Sequence, residues 1–207
     1  MEFEKNYFNG VYKDYLRQNP DKKLNFYLRE INKYKKSGKL LDVGCATGLF
    51  IEKAEKFFDI YGVDVSKYAI DIAKKKKLKV SVLSSDKLDF KNNFFDAITS
   101  FDVLEHVESL DNMLSEIRRV LKKDGVFVFV VPIWEGISGF ISQLVDRDPT
   151  HIHKKNKKFW FKKMENHKFN VADWIGIFRI LFVKYFHFQT IALKNYSPII
   201  LVICKRK

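Results

Sequence analysis

The feature that most constrains the fold is a short apolar run that leads directly into a glycine-containing turn. The run is Leu40–Val43, and the turn carries Gly44 and Gly48 before the apolar pair Leu49 and Phe50. Glycine lets the backbone approach a ligand closely, and the start of a helix offers amide groups that have no partner inside the helix. We interpret the segment as a buried strand, a ligand-binding turn and a helix start, although the glycines alone are equally consistent with a structural turn.

Further short apolar runs alternate with amphipathic stretches along the chain. The runs are Ile60–Val63, Val80–Leu83, Ala97–Phe101 and Val126–Val131. Compact apolar runs without polar alternation are typical of strands buried on both faces, and strand–helix alternation is typical of parallel sheets. We therefore predict an α/β fold with a doubly wound, mostly parallel sheet. Pro198–Cys204 is predicted as a last strand.

The helices between these runs carry their own signals. Ser66 can accept a hydrogen bond from a first-turn amide and so begin a helix through Ala73. One helical stripe contains Leu110, Met113, Leu114, Ile117, Val120 and Leu121, and Asp124-Gly125 is predicted to turn the chain into the next strand. Lys157–Asn166 is predicted as a further helix.

A chain of 207 residues is long enough for one sizeable core and short for two domains. We predict a single domain over 1–207. Its expected parts are an N-terminal helical segment (1–38), a cofactor-binding core (39–132), a cap or substrate segment (133–175) and C-terminal strands (176–207). The irregular part of the cap is expected to form a lid on the carboxyl edge of the sheet.

The cysteines and the apolar stretches indicate the compartment. Cys45 and Cys204 lie in different segments, which excludes a disulfide framework or a readable zinc site and suits a reducing cytosol. The first residues are too charged for a signal peptide. The longest apolar stretch, Trp174–Leu193, is interrupted by Arg179 and Lys184, so it is a poor transmembrane helix. We predict a cytoplasmic protein.

The net charge of +13 has two interpretations. It can indicate a partner that carries phosphates, such as a nucleic acid, a nucleotide-linked sugar or an anionic membrane surface. It can also be a lysine-rich surface that keeps the protein soluble. The excess is mostly Lys, in Lys74–Lys77, Lys154–Lys163 and Lys205–Lys207, and this favours solubility because nucleic-acid sites more often use Arg.

Acidic and polar residues follow three predicted strands in order. Asp64 ends the second strand, where a carboxylate can accept both hydroxyls of a ribose. Ser84–Lys87 follows the third strand, and its acid can accept an adenine amino group. Phe94–Val107 contains the fourth strand and its end. Ligands bind at this edge of such sheets. The simpler alternatives are a helix cap for Asp64 and a solvated loop for Asp86.

With these motifs, the run from about Gly38 to Pro132 resembles the class I S-adenosylmethionine-dependent methyltransferases. The resemblance is closest to their small-molecule, ubiquinone-pathway-like branch, in which a Leu-Glu-His-Val-like element follows the fourth strand. It implies a Rossmann-like sheet of seven strands with an antiparallel last strand, and S-adenosylmethionine as cofactor. Cys45-Ala46 stands where many relatives have a further glycine, which we expect to tighten the loop.

The same resemblance implies the cofactor site. Asp42 would lie near the amino acid end of the cofactor and Asp64 would hold its ribose. Asp86 with Lys87 would flank the adenine, and Phe101 would contribute backbone. The complete predicted set is Asp42, Gly44, Cys45, Ala46, Gly48, Asp64, Val65, Ser85, Asp86, Lys87 and Phe101.

Two histidines are candidate catalytic residues. The methyl group of the cofactor is already activated, so the enzyme must mainly align an acceptor, and a base is needed only where the acceptor loses a proton. His106 follows the fourth strand and is our first candidate. His151, in the segment Asp148–His153, is a second candidate base or substrate contact. The alternatives are a helix-start histidine oriented by packing and a loop histidine near a basic surface.

A metal site is also conceivable from the spacing. The ubiquinone-pathway O-methyltransferases resembled here can bind a divalent metal through an acid-x-x-Glu-His cluster, and Asp102, Glu105 and His106 reproduce it. These ligand types would suit a hard or borderline ion. Helix capping by the two acids is the simpler interpretation, so we predict no metal.

The acceptor is predicted from the cap and from the family. Aromatic and basic residues of the cap, Trp134, Phe140, Phe159, Trp160, Phe161 and Trp174 among them, suit either an acceptor pocket or ordinary packing. We expect a small-molecule hydroxyl on a sugar, a quinol-like ring or a lipid-linked compound, which can be anionic. The chain lacks the Asn/Asp-Pro-Pro turn of amino-group methyltransferases, and neither cysteine is placed to attack cytosine.

Three other functions remain open at this point. An RNA methyltransferase is supported by the charge and the cap aromatics, but less strongly. A non-catalytic protein that binds S-adenosylmethionine would share the same motifs. A nicotinamide oxidoreductase is disfavoured by the loop spacing, which is Gly-x-x-x-Gly here.

Overall fold

Eight strands join edge to edge in the computed structural model, which describes residues 15–136, 139, 148–181, 185–188 and 194–207. They are β1 (Lys39–Val43), β2 (Asp59–Asp64), β3 (Val80–Val82), β4 (Phe95–Phe101), β5 (Leu121–Pro132), β6 (Phe169–Leu181), β7 (Tyr185–Phe188) and β8 (Ile199–Arg206). Their order is β3-β2-β1-β4-β5-β8-β6-β7. β1 to β5 pair in parallel, and β8 lies antiparallel between β5 and β6. The predicted sheet with an antiparallel last strand is confirmed.

The strand order creates a switch point beside β1. The chain builds β1, β2 and β3 outward in one direction, and then returns to place β4 on the other side of β1. Loops that leave β1 and β4 therefore diverge at the carboxyl edge and open a crevice between them. β7 adds an eighth strand beyond the predicted seven, and it pairs antiparallel with β6.

Helices cover both faces of the sheet. They are α1 (Tyr15–Gln18), α2 (Asp21–Asn32), α3 (Leu49–Ala54), α4 (Lys67–Lys75), α5 (Leu110–Val120) and α6 (Lys157–Asn166), with 3₁₀ turns at Leu104–His106 and Lys194–Tyr196. Ser66 Oγ accepts from Ala69 N at 3.2 Å, as the predicted cap requires. Asn156 caps α6 in the same way.

The predicted apolar stripe is buried, but its last residue does not belong to α5. Leu121 is already the first residue of β5. The ladder between β4 and β5 passes from the pair Phe95/Leu121 to the pair Ala97/Val126, so β5 carries extra residues between them. Asp124-Gly125 lies in this irregularity, within β5, and does not form a separate turn before the strand.

The core consists of two apolar layers, one on each face of the sheet. Along β5, Phe127 and Phe129 belong to the layer that contains α5 and α6, whereas Val126 and Val128 belong to the layer that contains α2 and α3. Successive side chains of a strand point to opposite faces, so burial of both sets requires cover on both sides. This is why the runs of the sequence are apolar without alternation.

The C-terminal part differs from the predicted boundary. β6 begins at Phe169, inside the segment predicted as cap (133–175). Its first residues mix buried and exposed positions and include a register shift between Val171 and Asp173, so they contain no compact apolar run. The aromatic residue Phe140 of the predicted cap lies outside the described residues. None of the described helices is long and apolar enough to span a bilayer.

Candidate functional site

A cavity of about 990 Å³ opens at the carboxyl edge of the sheet. Residues at the ends of β1, β2, β3 and β4 line it, together with α1, α2 and the segment 148–152. The predicted residues that line it are Asp42, Gly44, Cys45, Ala46, Asp64, Val65, Ser85, Asp86, Phe101, His106 and His151. Gly48 and Lys87 are not among the lining residues. The sheet thus brings most of the predicted set into one cavity.

The turn after β1 is shaped by left-handed backbone. Gly44 has φ +79°, and a side chain at this position would collide with Val103. The amides of Gly44 and Cys45 both donate to the carbonyl of Val63, at 2.8 and 3.1 Å, which ties the turn to β2. Gly48 has φ +80° directly before α3, and its Cβ would collide with Leu78. Gly48 therefore shapes the turn and packs it on the fold.

Asp64 joins the tips of β1 and β2. Its Oδ2 accepts from Ala46 N at 2.8 Å, and its Oδ1 accepts from Ser66 N at 2.8 Å. Burial raises the pKa of Asp64, and these backbone amides oppose the shift. A carboxylate offers about four acceptor positions, so Asp64 keeps capacity for a ligand. The predicted alternative, a helix cap, belongs to Ser66 and not to Asp64.

Asp42 is a buried acid at the end of β1, 3% exposed. Burial raises its pKa to about 7, while a hydrogen bond from Thr99 Oγ1 at 2.7 Å opposes that rise. Burial therefore favours the protonated form of this carboxyl group more than in an exposed aspartate. A positive charge bound beside it would favour the carboxylate form.

The ends of β3 and β4 complete the cofactor-sized part of the cavity. The Ser84 hydroxyl donates to the Asp86 carboxylate. Lys87 is exposed to solvent. The ring of Phe101 packs between Tyr27, with centroids 4.4 Å apart, and Phe50, at 5.0 Å. The two rings come from α2 and α3, so these helices fix the wall at the end of β4.

His106 lines the same cavity, in the 3₁₀ turn after β4. Its Nδ1 is 2.7 Å from Thr150 Oγ1, and its ring lies 4.7 Å from that of His151. Thr150 in turn bonds to Asp148. Burial lowers the pKa of His106, and the charge of His151 lowers it further. A lowered pKa favours the neutral imidazole, which is the form that can accept a proton.

The arrangement does not fit the metal cluster that the spacing allowed. The Asp102 carboxylate faces Lys23 Nζ at 3.2 Å. Among the described residues, the donors of Glu105, His106 and His151 form a group within 4.8 Å of one another, and Glu105 Oε1 is 4.0 Å from His106 Nε2. The structure thus groups His151, and not Asp102, with Glu105 and His106, and we assign no metal to this group.

The lining of the cavity is strongly acidic. The carboxyl groups that line it are those of Asp42, Asp64, Asp86, Asp102, Glu105, Glu108 and Asp148. Lys23 is the one Lys or Arg among the described lining residues. Its side chain is 5% exposed, and its Nζ also bonds to Asn19 Oδ1 at 2.9 Å. The cavity therefore favours a ligand that is mainly cationic.

Sequence reasoning missed the contribution of the N-terminal helices. Tyr15, Gln18, Asn19, Lys23 and Tyr27 line the cavity. The aromatic composition of 1–38 was the sole signal there, and it does not distinguish a lid from a packing helix. The segment 148–152 was predicted at this edge, and its described residues do line the cavity.

Comparisons with known proteins agree with this geometry. Residues 41–129 match the family model described as Methyltransferase domain. The chain is 30% identical over 194 residues to the ubiquinone biosynthesis O-methyltransferase of Pelagibacter ubique, a match that covers 80% of this chain and 79% of that protein. A sterol 24-C-methyltransferase of Gibberella zeae is 35% identical over 99 residues, which are 43% of this chain and 26% of that protein.

The fold also occurs among solved structures. A crystal structure of an S-adenosylmethionine-dependent methyltransferase from Clostridium acetobutylicum matches with a TM-score of 0.71 at 17% identity. The match covers 97% of this chain and 98% of that one. At this identity the likeness concerns the fold alone.

Proposed function

This chain belongs to the class I S-adenosylmethionine-dependent methyltransferases, and from this premise we propose that it methylates a hydroxyl group of a small, uncharged molecule with His106 as the base. S-adenosylmethionine is the cofactor, and a small molecule is the class of acceptor. The observation that carries the proposal is the nearly buried imidazole of His106, whose pKa burial lowers, in the lining of the acidic cavity.

The donor set of the cavity fits the cofactor. When bound, S-adenosylmethionine supplies a methyl group on a cationic sulfur, and that sulfur keeps the electron pair of the broken bond. Asp64 would accept from the ribose hydroxyls, and Asp86 from the adenine amino group. Asp42 would stabilise the ammonium group, since a nearby positive charge favours its carboxylate form.

We assign Lys23 to the carboxylate of the cofactor. The zwitterionic amino acid end carries one negative charge, and Lys23 is the one Lys or Arg that lines the cavity among the described residues. A desolvated ammonium group forms its strongest hydrogen bonds to carboxylates. The existing contact with Asp102, at 3.2 Å, holds the ammonium group at this wall of the cavity.

The acceptor end supports a neutral substrate. His106, His151 and the apolar side chains of Val107 and Ile152 line it, and Glu105 is buried there. An anionic acceptor would meet carboxylates and no Lys or Arg at this end, within the described part of the chain. The surroundings therefore favour an uncharged hydroxyl, as on a sugar or a quinol-like ring, over the phosphorylated acceptors that the net charge allows.

His106 would take the hydroxyl proton. As the acceptor oxygen takes the methyl group, its proton moves to the imidazole, which becomes cationic and later returns the proton to water. A well-placed base of this kind contributes about 10²- to 10⁴-fold to the rate. His151 would contact the acceptor, because it lines the cavity and its ring lies 4.7 Å from that of His106.

The test is the fate of a labelled methyl group. Purified protein is incubated with methyl-tritiated S-adenosylmethionine and a cell extract separated into RNA, protein, lipid and small-molecule fractions. We expect label in an uncharged small molecule, stable to mild base as an ether. Label in RNA, or no label in any fraction despite binding of the cofactor, would replace the proposal with an RNA methyltransferase or a non-catalytic binding protein.

A further inference from the structure

Three side chains form a hydrogen-bonded line that ends at the acceptor part of the cavity. His106 Nδ1 lies 2.7 Å from Thr150 Oγ1, and Thr150 Oγ1 lies 2.6 Å from Asp148 Oδ1. The Thr150 amide also donates to Asp148 Oδ1, at 2.9 Å. Thr150 is buried, 5% exposed, and each of these distances is that of a good hydrogen bond.

The ionisation state of Asp148 determines where the protons of this hydrogen-bonded line lie. Burial raises the pKa of Asp148, but hydrogen bonds from Thr150 and the nearby imidazoles outweigh it, so that the net pKa of Asp148 lies below its ordinary value. An ionised carboxylate only accepts hydrogen bonds. The single hydroxyl proton of Thr150 must therefore point to Asp148. Its oxygen can then only accept from His106, and this requires a proton on Nδ1.

We propose that Asp148 and Thr150 are positioning residues that hold neutral His106 in the tautomer with its proton on Nδ1 and its basic lone pair on Nε2. The proposal rests on the role of His106 in the proposed function. It adds a reason why Nε2, and not Nδ1, is the nitrogen that takes a proton.

The same line stabilises the protonated imidazole. When an acceptor hydroxyl forms its new bond to the methyl carbon, its proton moves to Nε2 and the imidazole becomes a cation. Nδ1–H then donates to Thr150, whose hydroxyl donates to the Asp148 carboxylate, and no proton has to move along the line. Other groups that act on the His106 charge are His151 and Asp102, and Glu105 lies 4.0 Å from Nε2.

The tautomer can be measured directly, without the acceptor. The chain has five histidines, so long-range ¹⁵N–¹H spectra of histidine-labelled protein with bound S-adenosylhomocysteine resolve each ring, and His106→Ala assigns the signal. We expect the His106 signal to show a protonated Nδ1 at neutral pH. Thr150→Val should weaken this pattern and lower the titration midpoint of His106, because the hydroxyl contact that stabilises the cation is lost while the hydrogen bond with the Thr150 backbone remains. Thr150→Ser should retain both.

Asp148→Asn tests the negative charge of Asp148 separately from its hydrogen bond with Thr150. It keeps an acceptor for the Thr150 hydroxyl but removes the negative charge, so we expect the Nδ1–H form to persist with a lower titration midpoint. For Thr150→Val, kcat for methyl transfer to the acceptor fraction should fall roughly 10- to 100-fold, because one hydrogen bond to a charged group is lost. KM should change little. Ser197→Ala removes another buried hydroxyl that donates, at 2.9 Å, to the Lys194 carbonyl, and serves as the control for stability.

The outcomes separate the two ideas. A proton on Nε2 in the wild-type protein, or an unchanged tautomer in Thr150→Val, overturns the positioning line and leaves the general base intact. A wild-type rate of methyl transfer by His106→Ala would contradict the role of His106 as the base. The tautomer measured in the wild-type protein would remain valid. Thermal unfolding and S-adenosylhomocysteine binding confirm that each variant is folded; if Thr150→Val is not, Asp148→Asn decides by its titration midpoint.

Discussion

The cavity and the outer surface of this protein carry opposite charge. The chain has a net charge of +13, and exposed lysines such as Lys74 and Lys75 lie on the outside. The cavity at the sheet edge is lined by carboxylates with Lys23 as the one described Lys or Arg. The net charge of the chain therefore reflects its exposed surface. The charges that a ligand meets in the cavity belong to a separate set of residues near the ends of the strands.

The difference in charge between the cavity and the outer surface shows that the net charge does not identify the ligand of the cavity. A ligand in a low-dielectric cleft interacts mainly with the groups that line it, because solvent and salt screen charges on the outside. The net charge left a phosphate-bearing partner open as an alternative to simple solubility, whereas the lining supports a cationic cofactor and an uncharged acceptor. Five experiments test this contrast, in order of the effect expected.

The largest effect is expected at the acceptor end of the cavity. His106→Ala should lower kcat about 10²- to 10⁴-fold and leave the affinity for S-adenosylmethionine nearly unchanged, since the base acts only on the acceptor. Labelled methyl transfer and calorimetry measure the two quantities. His167→Ala is the matched control, because His167 bonds to Asp111 outside the cavity. Equal rates for both variants would remove His106 from the mechanism.

The next effect concerns the acid at the tip of β2. Asp64→Asn should weaken S-adenosylmethionine binding about 10- to 100-fold, because it loses charge-assisted hydrogen bonds to the ribose. Asp59→Asn changes an acid at the other end of the same strand, where Lys39 and Lys79 pair with it, and should have little effect. Calorimetry that gives both variants the wild-type affinity would contradict the role of Asp64.

The single lining lysine provides a sharper test. Lys23→Met should weaken binding of S-adenosylmethionine roughly 10-fold, from loss of one ion-paired hydrogen bond. Decarboxylated S-adenosylmethionine lacks the group that Lys23 would bind, so its affinity should hardly change. Lys22→Met, an exposed neighbour, is the control. A parallel loss for both ligands would mean that Lys23 acts through folding alone.

Asp42 predicts a pH dependence of binding. Its pKa is raised to about 7, so the carboxylate that favours the ammonium group is formed as pH rises through 7 and lost below it. The affinity should rise by less than about 10-fold between pH 6 and pH 8, since one partly ionised group is involved. Asp42→Asn should flatten this dependence and raise the melting temperature of the cofactor-free protein, because the cost of burying a charge disappears. A pH-independent affinity in the wild type would contradict the assignment.

The smallest effect is expected on the outer surface. Replacing the exposed Lys158 and Lys162 with Gln should change transfer less than about 2-fold, because exposed charges in water contribute little. The measurement is the rate of methyl transfer at low and at high salt. A large decrease in the transfer rate that depends strongly on salt would instead indicate an anionic macromolecule bound at the surface. The surface charge would then have a role in substrate binding.

The sheet, and the edge at which these acids lie, could be predicted from the sequence for a local reason. In a parallel sheet the carboxyl ends of neighbouring strands lie at the same edge, so Asp42 and Asp64, at the ends of β1 and β2, and Asp86, after β3, line one cavity. Gly48 and Lys87 were placed in the same set by motif, although Gly48 packs on Leu78 and Lys87 is exposed. The start of β6 was missed because its first residues contain no compact apolar run.

What the sequence by itself determined is the class of fold and, through the family resemblance, the identity of the cofactor, since both depend on motifs whose residues lie close together along the chain. The tertiary structure decided the rest. Thr150 meets His106 across 44 residues, and Lys23 meets Asp102 across 79. Such pairs form only when separate segments pack over the same edge, and no local pattern encodes that packing. The acidity of the cavity and the orientation of its base are therefore properties of the folded chain.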